Sequence, residues 1–333
     1  MRVLIADKFE SHGVAGLIAL GCQVVHEPGL SPETLPEAIS RVDPHVLVVR
    51  STKVQAPAID AGRSLGMVVR AGSGYDTIDC AKASQRGIPV CNCPGMNAVA
   101  VAELAMAHLL NLDRRLVSQD AQLKAGHWNK AEFSKARGIK GMHLLVHGYG
   151  AIGREVAQRA RAFGMHVHAT SRHHTADEIG AMGVHFVDST REGVLEALPR
   201  MDAVSVHIPL GEETKNSCDA AFFAAMKPGA YFINTSRGPV VDERALAQAC
   251  RTRGIRAGLD VYCNQPSATS GDFASEIARE ENICCTHHCG ASTDQAQNAV
   301  ADEVVRLVGV YKNTGTCENV VNPGALGPAR AQA

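Results

Sequence analysis

The sequence predicts an α/β fold of two parallel-sheet domains, and three observations lead there. Short apolar runs alternate with helical patterns along nearly the whole chain, and strands that alternate with helices form parallel sheets. One of these runs leads through a G-x-G-x-x-G into a helical pattern. At 333 residues the chain has room for two domains of ordinary size.

The first hundred residues read as the smaller unit, with strands at 2–6, 23–26, 45–49, 67–69 and 89–91. Ligands of such sheets gather at the carboxyl ends of the strands. Two of these ends carry Arg50, Ser51 and Lys53, and Arg70 ahead of Gly72 and Ser73. That set suits an anionic small molecule; the alternative is a row of solvated loop residues. Residues 97–125 are the longest helical pattern and are expected to connect the domains.

Residues 142–172 organise the second unit. Leu144, Leu145 and Val146 form a strand that runs into Gly148, Gly150, Ala151, Ile152 and Gly153. Ile152, Val156, Ala160 and Phe163 then recur at helical spacing, and residues 165–169 form a second strand. Strand, glycine turn, helix and strand make the setting of a dinucleotide-binding turn. Gly148 permits the tight turn, Gly150 lets the backbone approach a pyrophosphate, and Gly153 lets the helix pack close. The helix N-terminus adds N–H donors and a positive dipole end. An NAD-preferring site has an acid at the end of the second strand for the ribose hydroxyls. Here Thr170, Ser171 and Arg172 stand there, with no acid before Asp177. An acid would repel a 2′-phosphate, whereas a hydroxyl and a guanidinium bind one. NADP(H) is therefore favoured, with NAD(H) possible if Arg172 instead stacks on adenine or lies in solvent.

Alternation continues with strands at 202–210, carrying His207, Ile208 and Pro209, at 230–234, ahead of Thr235, Ser236 and Arg237, at 256–261, including Asp260, and at 282–286. A helix over 292–312, capped by Ser292 or Thr293, can carry the chain back to the first unit. The expected domains are residues 1–97 with 296–333, and residues 98–295.

Composition excludes several classes. The chain is 45% hydrophobic and 20% charged with a net charge of −1, so no strong field invites nucleic acid or an acidic membrane surface. No apolar run approaches the roughly 20 residues of a membrane span. The first residues lack signal-peptide architecture, so a cytoplasmic protein is expected. Eleven cysteines include no C-x-x-C pair. The crowded Cys284, Cys285, His287, His288 and Cys289 would point to opposite faces of a strand, so no metal site is expected.

The motifs Gly148 to Gly153, Asn234-Thr235-Ser236-Arg237-Gly238, Leu259-Asp260-Val261-Tyr262 and His288-Cys289-Gly290-Ala291-Ser292-Thr293 occur in that order. With them the chain resembles the D-isomer-specific 2-hydroxyacid dehydrogenases, in particular the catalytic core of the phosphoglycerate dehydrogenases, over nearly all of residues 1–325. The resemblance implies two Rossmann-like or flavodoxin-like domains with the active-site cleft between them. It further implies a homodimer and NAD(P)-dependent hydride transfer at C2 of a small anionic 2-hydroxy or 2-oxo acid. Carried over residue by residue, Arg237 would hold the substrate carboxylate and His288 would move the proton. Ser73, Ala151, Ile152, Ser171, Arg172, Ile208, Thr235, Asp260 and Gly290 match cofactor contacts, beside the three glycines, His207, Pro209 and Ser236. Arg50, Ser51, Arg70 and Gly72 match the substrate side. Two departures stand out. His287 replaces the proline usual before the catalytic histidine, and Gln265-Pro266 stands where the family has Glu-Pro. A glutamine can orient His288 but cannot stabilise imidazolium by charge. Formate dehydrogenases, more distant members of the superfamily, also use a glutamine here. The alternatives are a formate-type or other small-anion oxidoreductase, and a non-catalytic NAD(P)-sensing protein on the same fold.

Overall fold

The structure, a computed structural model, describes residues 1–266 and 270–326. The chain forms two compact units, one of Met1–Asn97 with the chain from Ser292 onward, the other Ala98–Ala291. The division falls at Ser292 rather than at 296. The helix Asp294–Thr314 is capped by the Thr293 hydroxyl, which accepts the Ala296 N–H, and its whole length follows the first unit.

In the first unit β1 (Arg2–Ile5), β2 (Gln23–His26), β3 (Val46–Val49), β4 (Met67–Arg70) and β5 (Val90–Asn92) form a parallel sheet in the order β2-β1-β3-β4-β5. That is the flavodoxin-like order. Val3, Val46, Val48, Met67 and Val69 pack on one face with Leu17, Val304 and Leu307 of helices, and Leu4, Leu47, Val49 and Val68 pack on the other with Leu35, Ile39 and Ile59. Both faces are covered, so the strands read as continuous apolar runs. The C-terminal segment completes this unit: Val321 N–H donates to the Val90 carbonyl at 2.8 Å, and the Val90 N–H donates to Asn322 Oδ1 at 2.7 Å.

The second unit holds β6 (His143–His147), β7 (His166–Thr170), β8 (His185–Val187), β9 (Ala203–Val206), β10 (Tyr231–Asn234), β11 (Arg256–Leu259) and β12 (Ile283–Cys285). Their order is β12-β11-β10-β9-β6-β7-β8, all parallel, which is the doubly wound Rossmann order with a seventh strand. The chain reverses direction across the sheet between β6 and β9, and a ligand crevice opens at such a point. β8 left no mark in the sequence, because three residues on a sheet edge are too few for a period to show.

The helical pattern over 97–125 folds as two helices, Ala98–Arg114 and Leu116–Lys124. Arg115 between them takes φ 55°, a left-handed conformation. Side chains hold the break: Arg115 pairs with Glu132 and lies 4.8 Å from the Phe133 ring centroid, and Asn111 Oδ1 accepts the Val117 N–H. No helix of the described residues is long and apolar enough to cross a membrane.

Candidate active site

The glycine turn follows β6 directly. Gly148 takes φ 109°, and a Cβ there would lie 2.8 Å from the His207 carbonyl carbon. Gly153 is close-packed, since a Cβ would fall 2.0 Å from the Gly148 carbonyl oxygen. Gly150 differs: nothing lies within 4 Å of where its Cβ would be. It caps the helix Ala151–Ala162 without a side-chain hydrogen bond, and no acid sits in that helix's first turn. The space over Gly150 at the helix N-terminus is thus open, as an approaching anion requires.

Thr170 and His147 pin this turn, a role the sequence reading assigned to neither. The Gly148 N–H donates to Thr170 Oγ1 at 3.0 Å, and the Thr170 hydroxyl meets His147 Nδ1 at 2.9 Å. The Tyr149 N–H donates to the Thr170 carbonyl at 2.9 Å. Burial pushes His147 down to about 4 and His207 to about 3, the latter with a smaller push from His147. Both rings are neutral and add no charge beside the turn. His207 Nε2 meets Ser205 Oγ at 2.8 Å, while its buried Nδ1 has no hydrogen-bond partner among the described residues. The Thr235 hydroxyl is likewise buried without one. Two buried polar atoms without partners among the described residues, at the ends of β9 and β10, fit a polar ligand, since buried polar groups are rarely left unpaired.

At the end of β7 the Ser171 hydroxyl accepts the N–H groups of His173 and His174 at 3.1 and 3.0 Å, so its own proton can still be donated. Arg172 Nη1 lies 3.3 Å from Glu213 Oε2. Arg172, Pro209, Gly211, Glu212, Glu213 and Thr214 line one shallow cavity. The loop after β9 thus places a carboxylate beside Arg172.

The carboxyl ends of β10, β11 and β12, three adjacent strands, carry Arg237, Gln265 and His288. Asn234, 1% exposed, folds the first of these loops. Its Oδ1 accepts from the N–H and hydroxyl of Ser236 at 3.0 and 2.8 Å, and its Nδ2 donates to the Arg237 carbonyl at 3.0 Å. Arg237 Nη1 donates to the Ser236 carbonyl at 2.8 Å. Gly238 must be glycine, because a Cβ would meet the Tyr262 carbonyl carbon at 2.1 Å.

His288 stands on a loop organised by Asp260, which is 1% exposed. Asp260 Oδ1 accepts the Thr286 hydroxyl at 2.6 Å and the Cys289 N–H at 2.9 Å, and Oδ2 accepts the Gly290 N–H at 2.9 Å. His108 Nε2, buried in the helix Ala98–Arg114, meets Thr286 Oγ1 at 3.1 Å. Asp260 is a cofactor contact by resemblance; the contacts seen here are to the loop bearing His288. His288 itself takes φ 51°, and its Nδ1 lies 2.6 Å from Gln265 Nε2. The Gln265 oxygen accepts the Tyr262 N–H at 3.2 Å, which turns the amide nitrogen toward the ring. In that arrangement Nδ1 is the acceptor, and the neutral ring carries its proton on Nε2. Of the two adjacent histidines, it is the ring of His288 that meets Gln265.

In the first unit Asp7 sits where an external anion was expected. Its Oδ2 accepts the N–H groups of Arg50, Ser51 and Thr52 at 2.6, 3.2 and 3.2 Å. The backbone nest after β3 is filled by the chain's own carboxylate, so only side chains there can meet a ligand. Arg50 Nη1 donates to Gln297 Oε1 at 3.0 Å. Gly72 takes φ 141°, and a Cβ there would collide with Arg70 Nη1, so the glycine makes room for the folded-back guanidinium. The Ser73 hydroxyl donates to Asn97 Oδ1 at 2.8 Å.

A Rossmann-ordered sheet with an open glycine cradle at its switch point defines a doubly wound dinucleotide-binding protein. The family then follows from comparison. The model of the D-isomer specific 2-hydroxyacid dehydrogenase NAD binding domain matches residues 106–290, and the chain belongs to that family. It is 38% identical over 317 residues to a hydroxypyruvate reductase of Thermotoga maritima, covering 94% of this chain and 98% of that one. It is 36% identical over 310 residues to D-3-phosphoglycerate dehydrogenase 2, chloroplastic, of Arabidopsis thaliana, covering 92% of this chain. There the chain spans about half, 48%, of the relative's length. The crystal structure of NAD+-bound 3-phosphoglycerate dehydrogenase from Entamoeba histolytica superposes with a TM-score of 0.78 at 26% identity, covering 97% and 98% of the two chains.

Proposed function

We propose that the protein is an NAD(P)-dependent D-2-hydroxyacid dehydrogenase that works as a 2-oxoacid reductase. The observation that carries this reading is the grouping of Arg237 and the Gln265–His288 pair on adjacent strand ends of the sheet that bears the glycine cradle. The N–H groups of residues 150–153 would hold the pyrophosphate, and His207 and Thr235 would contact the nucleotide. The bound nicotinamide would supply or accept the hydride. Arg237 grips the substrate carboxylate with its planar fork and so orients C2. As imidazolium, with the Gln265 amide turned so that its oxygen accepts from Nδ1, His288 passes its Nε2 proton to the carbonyl oxygen during reduction and is left as the neutral ring. Arg50 and Arg70 favour an oxoacid with a second anionic or polar group. The test is the initial reduction rate of a panel of 2-oxoacids, phosphohydroxypyruvate included, each with NADPH and NADH. Turnover of at least one oxoacid is expected, and tight cofactor binding with no turnover of any would leave a nucleotide-sensing role.

In this reading NADPH is preferred, through the Ser171 hydroxyl and Arg172, but a 2′-phosphate must compete with Glu213 for the guanidinium. Glu213→Gln is therefore expected to raise the ratio of kcat/KM for NADPH over NADH several-fold, and Arg172→Ala to lower it. Ratios that do not move would sink the 2′-phosphate assignment.

The site geometry also sets a pH dependence. A carboxylate in place of the Gln265 amide would favour imidazolium through its charge. A raised pKa keeps the proton donor charged to higher pH. Gln265→Glu should therefore move the alkaline limb of the reductive profile upward, and an unshifted limb would refute the pairing.

The functional unit is read as a homodimer. The helix Leu116–Lys124 has no buried residue. Leu116, Val117, Leu123 and Trp128 are 53%, 62%, 55% and 80% exposed, a patch of the kind that marks an association surface. Trp128→Asp combined with Val117→Asp should halve the mass measured by light scattering, whereas a wild-type monomer would dismiss this role.

A further inference from the structure

The amino-terminal end of the second sheet, opposite the glycine cradle, carries four histidines that the active site does not use. His143, His166 and His185 open β6, β7 and β8, and His168 lies two residues into β7. The register pairs His143 with His166 and His168 with His185. Alternation then places all four side chains on one face of the sheet. Leu145 and Val187 share that face and belong to the apolar cluster around Leu198 and Phe222.

The rings are in contact. His143 Nδ1 lies 2.9 Å from His168 Nε2. His166 stacks on His143 with centroids 4.9 Å apart, and His185 lies 4.9 Å from His168. His166 and His185 are exposed, while His143 and His168 are half-buried. Four imidazoles side by side would repel one another when protonated, so this arrangement is built for neutral rings. Neutral imidazoles offer nitrogen lone pairs. Two ligand nitrogens on one metal with bonds of about 2.0–2.1 Å lie about 3.0–3.4 Å apart. The His143–His168 contact at 2.9 Å is a ring-to-ring hydrogen bond, which a metal would replace as both nitrogens turn toward it.

We propose that this cluster is a binding site for a divalent transition metal of the zinc type, nucleated by His143 Nδ1 and His168 Nε2. Among the described residues no three such groups converge on one point as they stand. His166 and His185, exposed beside the pair, complete the set by turning about their side-chain bonds, with water in any remaining position. Imidazole nitrogen selects zinc, nickel or copper over magnesium or calcium. Arg200 lies near His168 and opposes a cation. Asp202, whose Oδ2 accepts the His143 N–H at 3.0 Å, is paired through Oδ1 with Lys227 at 2.6 Å, so the metal's charge would be met by solvent and bound anions. A bound metal would tie the edge strand β8 to β7 and β6 and would stabilise the folded chain.

The test uses the full chain without a histidine tag, stripped with a chelator and titrated with Zn2+, with Mg2+ as the control. One zinc per chain is expected, no magnesium, and a rise in Tm with zinc concentration. His168→Gln should weaken zinc binding at least tenfold. Because His168 is half-buried, the surface double variant His166→Ala/His185→Ala provides a second arm and should also weaken binding at least tenfold. Cobalt in place of zinc should show no thiolate charge-transfer band, which separates this cluster from Cys284, Cys285 and Cys289. Zinc binding unchanged in both variants, or a cobalt spectrum with thiolate character, would overturn the proposal.

Discussion

Arg237→Lys is expected to lower kcat/KM for the 2-oxoacid by about a hundredfold or more, while cofactor affinity stays within about twofold. The reason lies in the loop after β10. Asn234 ties the Ser236 N–H and hydroxyl and the Arg237 carbonyl together, and the Ser236 carbonyl in turn takes Arg237 Nη1. The guanidinium plane is thereby set before substrate arrives. A carboxylate gripped by two parallel N–H groups is fixed in angle as well as in place, and that angle aims C2. Lysine would keep the charge but offer a single rotating donor. The loss should therefore fall on kcat as well as KM, because misorientation acts at the transition state. A variant within threefold of wild type on both parameters would remove Arg237 from the site.

His288→Gln should lower kcat on the order of 100- to 10,000-fold, the range for loss of a general acid–base group. Substrate and cofactor affinity should change little. The companion variant His287→Gln should stay within about threefold of wild type, since the ring that meets Gln265 is that of His288. The loop should survive either change, because Asp260 holds it through the N–H groups of Cys289 and Gly290 and the Thr286 hydroxyl, not through a histidine ring. A large loss in the His287 variant with an active His288 variant would exchange the two roles.

Much of this architecture could be read from local pattern. The alternation of apolar runs and helical repeats predicted two parallel sheets, and the structure has them. The turn at Gly148 was legible because its demands are local: a left-handed φ, an open cradle and a close helix contact all fall within six residues of sequence. The division at Ser292 and the break at Arg115 were harder. The Thr293 cap was itself legible, though the boundary was set four residues later, and the break depends on Glu132 and Phe133, which no periodicity ties to Arg115.

The site's supporting contacts were not legible. Asp7 fills the nest at Arg50–Thr52 from 43 to 45 residues away, and Asp260 meets the N–H of Gly290 across 30. Arg50 reaches Gln297 across 247 residues, and Glu213 faces Arg172 across 41. Local pattern was enough for the α/β class, the glycine turn and the residue types at the strand ends. Those follow from backbone preference and the burial of one face, which act over a few residues. The tertiary structure alone decided which carboxylate or hydroxyl meets which donor, because strand order brings together loops that the chain keeps far apart.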